Sequence, residues 1–185
     1  MESLLRSVYG RAEAEYVIKK SRFIATVCEV KTEAEAAAFI ESVRKHYWDA
    51  RHNCSAFQIG AGGQIQRSSD DGEPSGTAGR PILEVLKKRD LTNTAVVVTR
   101  YFGGIKLGTG GLVRAYQGMV KLGLETLPTR EHMIPARVEV VLDYPHITVF
   151  RRLLPDYRAT VASENFGVDA TYELLLPDQN IPALE

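Results

Sequence analysis

Between Thr94 and Leu124 the chain reads TAVVVTRYFGGIKLGTGGLVRAYQGMVKLGL, a run that few folds can accommodate. Val96 to Val98 is an unbroken β-branched stretch, the pattern of a strand covered on both faces. Arg100-Tyr101-Phe102 ends it. Gly103, Gly104, Gly108, Gly110 and Gly111 follow, where backbone must bend through positive φ or approach something closely. From Leu112 the period turns helical: Leu112, Ala115, Tyr116, Met119 and Leu122 share one face, and Arg114, Gln117, Gly118, Lys121 and Glu125 the other. The spacing predicts a strand, a five-glycine loop and a helix, with the glycines at the helix N-terminus.

The first amides of a helix lack internal partners and carry partial positive charge, so an anion can dock on them. Lys106 lies in the loop, Arg100 just before it and Arg114 one turn into the helix, and no Asp or Glu occurs from Leu91 through Leu124. The spacing matches neither a Walker loop, which ends in Gly-Lys-Ser/Thr, nor the G-x-G-x-x-G fingerprint, because it gives G-x-G-G-x-x-R. Glycines placed for steric reasons alone fit that spacing equally. The three cations and the missing acids favour a receptor for phosphate. Tyr101 and Phe102, beside Arg100 and Lys106, add the pattern of surfaces where bases stack on rings, with one of the two expected in the core because adjacent strand residues point oppositely.

A second special loop, SDDGEPSGTAG from Ser69 to Gly79, is too polar and glycine-rich for regular structure. Asp70, Asp71 and Glu73 could ligate a hard cation such as Mg²⁺, but Asp-Asp-Gly is also a turn signal, and the turn is favoured. Ser75, Gly76, Thr77 and Gly79 could instead form a second anion nest ahead of a helix that Pro81 starts, with the three acids at its border. His52 and Cys54 would share one strand face, which invites a nucleophile reading. A strand cysteine is more often packing, and neither a Gly-x-Ser-x-Gly elbow nor a His-Glu-x-x-His helix is present. No catalytic residue is assigned, and no cofactor is expected beyond that Mg²⁺.

The formal charge of zero hides an asymmetry: residues 1–132 hold 19 Lys/Arg against 15 Asp/Glu, net +4, and residues 133–185 hold 4 against 8, net −4. The basic part also carries eleven of the fifteen glycines between Gly60 and Gly111, so the special backbone and the positive charge coincide. No stretch is apolar enough for a membrane span and the N-terminus lacks a signal-peptide core, so the cytoplasm is the expected compartment and no membrane partner is expected. Cys28 and Cys54 form no C-x-x-C pair and read as reduced thiols.

The pattern along the chain predicts an α+β fold in two domains, 1–130 and 137–185, joined by a linker at 131–136. Glu15–Lys31 reads as strand with a bend at Lys20-Ser21-Arg22. Thr32 and Glu35 form a capping box for a helix to about Trp48, where Tyr47 and Trp48 pack its end. His52–Gly60 and Gln64–Ser68 read as a hairpin. In the second domain, strand Arg137–Asp143, a helix to about Tyr157 and the hairpin Thr160–Phe166 with Ala170–Leu176 give a β-α-β-β order, the start of a ferredoxin-like split unit. Asp178–Glu185 reads as a further helix just beginning, so this domain is expected to be incomplete.

KSRFIA (Lys20–Ala25), HNC (His52–Cys54), DDGEPSGTAGRP (Asp70–Pro81) and VTRYFGGIKLGTGGLVRAY (Val98–Tyr116) together resemble the IMPACT family, its bacterial YigZ-type members in particular. The resemblance implies an N-terminal domain similar to the second domain of a small-subunit ribosomal protein and to the fourth domain of translocase elongation factors, followed by a ferredoxin-like domain. Eukaryotic relatives are linked to translational control through a partner of a stress-activated kinase and carry an extra N-terminal domain. What the resemblance implies here is a non-enzymatic cytosolic protein that binds RNA or the ribosome, with Arg100, Tyr101, Phe102, Lys106 and Arg114 as its contacts and a translation-related protein partner as a further expectation. Two alternatives stay open: an enzyme acting on a phosphorylated small molecule or nucleotide with Mg²⁺, and a protein–protein regulatory module.

Overall fold

The β-branched run Val96–Thr99 lies in the middle strand of a five-stranded antiparallel sheet. The structure, a computed structural model, describes residues 4–133 and 135–183. It falls into two compact units, one of Leu5–Glu131 and one of the chain from His132 onward together with Leu4. In the first, the elements in chain order are β1 (Leu4–Val8), β2 (Arg11–Ile18), β3 (Ser21–Glu29), α1 (Glu33–His46), β4 (His52–Ile59), β5 (Ile65–Ser69), α2 (Gly79–Lys88), β6 (Thr94–Tyr101), α3 (Thr109–Glu125) and β7 (Thr129–Met133). β1 pairs with β7, and the main sheet has the order β2-β3-β6-β4-β5 with every neighbour antiparallel.

β6 runs down the middle, which is why its apolar run does not alternate with polar residues. Val96 and Val98 pack with Phe23, Cys54 and the inner faces of α2 and α3, whereas Ala95 and Val97 point the other way against Phe39 and Val43 of α1. Each face is covered by helix, so each residue of the run is buried. β2 and β3 are joined by a two-residue turn, Lys19-Lys20, with φ of 44° and 64° and Ile18 paired to Ser21. The bend thus comes one residue earlier than expected, and Ser21 is already strand.

The Thr32 cap forms, its hydroxyl accepting the Glu35 amide at 3.1 Å, while the Glu35 carboxylate takes the amide of Lys31 at 2.8 Å. α1 stops at His46, and Trp48 stands 81% exposed instead of packing the helix end. Tyr47 alone turns back, donating to Glu13 at 2.9 Å and setting its ring edge-on to Tyr101. α2 begins two residues before Pro81, whose missing N–H falls in a first turn that needs none. α3 begins three residues before Leu112, so Gly110 and Gly111 are helical, not loop.

The second unit contains β8 (Pro135–Leu142), a 3₁₀ turn at Tyr144–His146 leading into α4 (Ile147–Leu153), β9 (Thr160–Phe166), β10 (Ala170–Pro177) and a 3₁₀ segment at Asp178–Ala183. β10 lies between β8 and β9, antiparallel to both, and buries Ala170, Tyr172, Leu174 and Leu176 on the face that meets Phe150 and Leu154. The expected β-α-β-β order is present. Thr129–Met133 and Pro135–Leu142 are strands, so most of the stretch read as a linker at 131–136 is hydrogen-bonded chain, and Ile134 lies outside the described residues. The helix expected at Asp178–Glu185 is a 3₁₀ segment as far as Ala183; the two residues beyond lie outside the described ones. The chain is a mixed α+β protein of antiparallel sheets and helices. Among the described residues no helix is long and apolar enough to cross a membrane.

Candidate functional site

The antiparallel register of β4 and β6 sets His52 directly across from Arg100 at the end of the sheet, just past the apolar core. Arg100 is 4% exposed, with its guanidinium over the Phe23 ring at 5.5 Å and the Phe102 ring at 5.4 Å. One terminal nitrogen donates to Glu73 at 2.7 Å and the other to the Ser21 hydroxyl at 3.3 Å, while Nε, also buried, has no partner. Glu73 is delivered by a turn in which Asp71 and Gly72 take φ of 40° and 83°. Its Oε1 also accepts the Tyr116 hydroxyl from α3 at 2.8 Å, and its Oε2 lies 3.7 Å from His52 Nε2. His52 Nδ1 is 2.9 Å from the Asp71 carbonyl, which can only accept, so that nitrogen carries hydrogen.

Burial, with Cys54 and Glu73 nearby, pushes the Tyr116 hydroxyl far above its ordinary range, so it stays a donor. Burial likewise pushes the Cys54 thiol up to about 12, despite its contact with Tyr116. Cys54 is wholly buried and its sulfur donates to the Asp70 carbonyl at 3.0 Å. It is a packed thiol.

Over this buried knot opens a cleft of about 390 Å³, with Glu73 and Arg100 in its floor. Arg51 and Lys106 stand on its rim, exposed, and make no ion pair with the described residues. Phe102, Leu107 and Leu112 supply apolar wall. Gly108 and Thr109 bring in the start of α3, where Gly108 at φ 74° is the N-cap and no side chain caps the first turn. The cleft therefore combines unpaired cations, uncapped helix amides and an apolar side.

Several expected contacts sit elsewhere. Arg100 is not a free cation, because Glu73 neutralises it from a loop 27 residues away. Tyr101 lies on the opposite face of the sheet, half-buried, donating to Asp49 at 2.8 Å beneath Arg22. Neither Tyr101 nor Phe102 is core: β6 ends at Tyr101, so alternation does not extend to Phe102, which is 43% exposed. Gly103 is required by close approach, since a Cβ there would lie 1.9 Å from the Lys20 carbonyl oxygen, whereas Gly104, like Gly108, takes positive φ. Arg114 lines a separate shallow pocket with Lys19, Leu107 and Gly111.

The second anion nest is filled by the protein itself. The amides of Gly76, Ala78 and Gly79 donate to the Asp70 carboxylate at 2.8, 3.1 and 2.8 Å. Burial pushes the Asp70 carboxyl up, but the three amides outweigh it and hold it below the usual carboxylate range. Ser75 is exposed on this turn, and Thr77 is buried with its hydroxyl bonded to the Pro74 carbonyl. The three acids weighed as Mg²⁺ ligands do not converge: Asp70 serves those amides, Asp71 accepts the Asn53 amide at 2.7 Å, and Glu73 holds Arg100. Among the described residues no group of three or more His, Cys, Asp and Glu could hold a metal ion. Sequence reading missed Arg51 altogether and weighed His52 only with Cys54, because the strand register that aligns residue 52 with residue 100 is not written in local spacing.

Sheet and cleft define a mixed α+β protein whose glycine-rich loop opens a basic, part-apolar cleft at a helix start. The chain belongs to the IMPACT family: the model of the Impact N-terminal domain matches residues 19–124, the stretch that contains the whole cleft. It is 44% identical over 177 residues to the IMPACT family member YvyE of Bacillus subtilis, covering 96% of this chain and 82% of that one. It is 39% identical over 162 residues to YigZ of Escherichia coli, covering 86% and 79%. A solved crystal structure of a hypothetical protein superposes with a TM-score of 0.79 at 35% identity, covering 99% of this chain and 89% of that one.

Proposed function

We propose that the cleft receives phosphate groups of RNA, free or in the ribosome, and that the protein acts in translation or its regulation by binding and not by turnover. The observation that carries this is the uncapped start of α3, open between Lys106 and Arg51 above a buried Arg100 whose Nε lacks an acceptor. Phosphate oxygens accept both from helix amides and from cations, and charge-assisted bonds of this kind are the strong ones. The arrangement of β10 between β8 and β9 supports a ferredoxin-like second unit, and the family supports a first unit of the ribosomal-protein and elongation-factor type. A translation-related protein partner is compatible with the same role.

Fluorescence anisotropy with a labelled RNA oligonucleotide at several salt concentrations tests the proposal. Lys106→Ala combined with Arg51→Ala removes two exposed cations and should lower the slope of log affinity against log salt by about 2. Unchanged affinity and unchanged slope in the double variant would remove RNA from this cleft.

A further inference from the structure

The cleft has two chemically different sides, and an anion alone needs only one of them. Lys106 and the first turn of α3 suit phosphate, whereas Phe102 and Leu107 present apolar surface to the same cavity. Phe102 is 43% exposed where it lines the cleft, and its face lies against the Arg100 guanidinium at 5.4 Å. An exposed ring backed by a fixed cation is a platform for a flat π-system. Arg100, which lines the cleft, keeps at its buried Nε a donor that the protein leaves unused, and this observation is independent of the helix terminus.

A cavity of about 390 Å³ is of small-molecule size, enough for one unit of a polymer. A duplex keeps its bases stacked inside and offers phosphates on a convex surface, so it can reach the rim but not the ring. We infer that the cleft captures one unpaired nucleotide of single-stranded RNA, its base stacked on Phe102 and its phosphate on Lys106 and the start of α3. This rests on the phosphate reading of the same cleft and narrows it to unpaired, looped or terminal RNA.

The test compares one short fluorescent RNA oligonucleotide, single-stranded and annealed to its complement, with free adenosine monophosphate as competitor. The single strand should bind more tightly than the duplex. Phe102→Ala should weaken the single strand roughly tenfold and leave the duplex unchanged. Phe102→Leu, which keeps apolar bulk but has no π-face, should weaken it as well, and circular dichroism should show both variants folded. Lys106→Ala should weaken single strand and duplex alike. If Phe102→Ala is silent while Lys106→Ala weakens the single strand, the nucleotide inference falls and the phosphate reading stands. If Lys106→Ala is silent too, both fall. Adenosine monophosphate displacing the strand at equal affinity would make the cleft a mononucleotide site and overturn capture of a strand.

Discussion

Glu73 decides what Arg100 can do. Both side chains are about 95% buried or more, so their pairing stands in a medium where removing one partner leaves the other uncompensated. Arg100→Ala should lower the free energy of unfolding by about 3–5 kcal/mol, whereas Tyr116→Phe, which deletes a neutral donor to the same carboxylate, should cost about 1–2 kcal/mol. Urea unfolding of the two variants measures this; if Arg100→Ala is as mild as Tyr116→Phe, Glu73 and Arg100 do not act as a buried pair. The sequence made Arg100 legible as important but not its pairing with Glu73. Local spacing shows a cation beside a glycine loop, but its neutralising acid arrives from Asp70–Glu73 through a turn and a strand register that only the folded chain defines. Cys54, read as packing from its type and its strand, is packing for the simpler reason that burial needs no long-range information to infer.

Two helices start after glycine-rich loops, and they terminate differently. α2 has an internal anion: Asp70 accepts amides at its N-terminus, as a capping side chain would. α3 has none. Both loops looked alike as sequence, because the acids of the first are close enough to fold back on it and the spacing does not say whether they do. Asp70→Ala should therefore destabilise by about 1–2 kcal/mol, a cost with no counterpart in substitutions at Thr109. The pH dependence follows from the lowered Asp70 carboxyl. Its stabilisation is complete above the ordinary carboxylate pKa of about 4 and is lost as pH falls through the lower folded value. Asp70→Asn should accordingly flatten the acid limb of stability measured between neutral pH and the acid transition; an unaltered limb would show that the three amides do not hold a charge. Several other element starts were legible within three residues, though β2 begins four residues before the expected Glu15 and β1 and β7 were not read as strands; the Thr32 cap was read outright, because caps are local chemistry.

The two units differ in how much apolar surface they close over. In Leu5–Glu131 the sheet is covered on both sides, by α2 and α3 with Val96 and Val98 and by α1 with Ala95 and Val97. In the second unit the buried cluster among the described residues is Leu154 with four side chains of β10, and β9 is exposed along nearly its whole length. This contrast was half legible: the β-branched run of β6 announces a doubly covered strand, whereas the alternation of Val138, Val140 and Leu142 in β8 announces one open face. Amides open with free energies that follow local burial, from fraying edges up to global unfolding. Hydrogen exchange followed by mass spectrometry should thus find Ala95–Thr99 protected to the limit set by global unfolding, and Val161–Asn165 exchanging faster by orders of magnitude. Equal protection of the two segments would mean that the second unit opens only together with the first, and that burial within each unit does not set its own stability. The net charges, +4 before residue 133 and −4 after it, add a control, since raising salt screens exposed charge but leaves apolar burial in place. The difference in exchange should persist at high salt; if it vanishes there, the protection of β6 is electrostatic and not the consequence of a sheet packed on both faces.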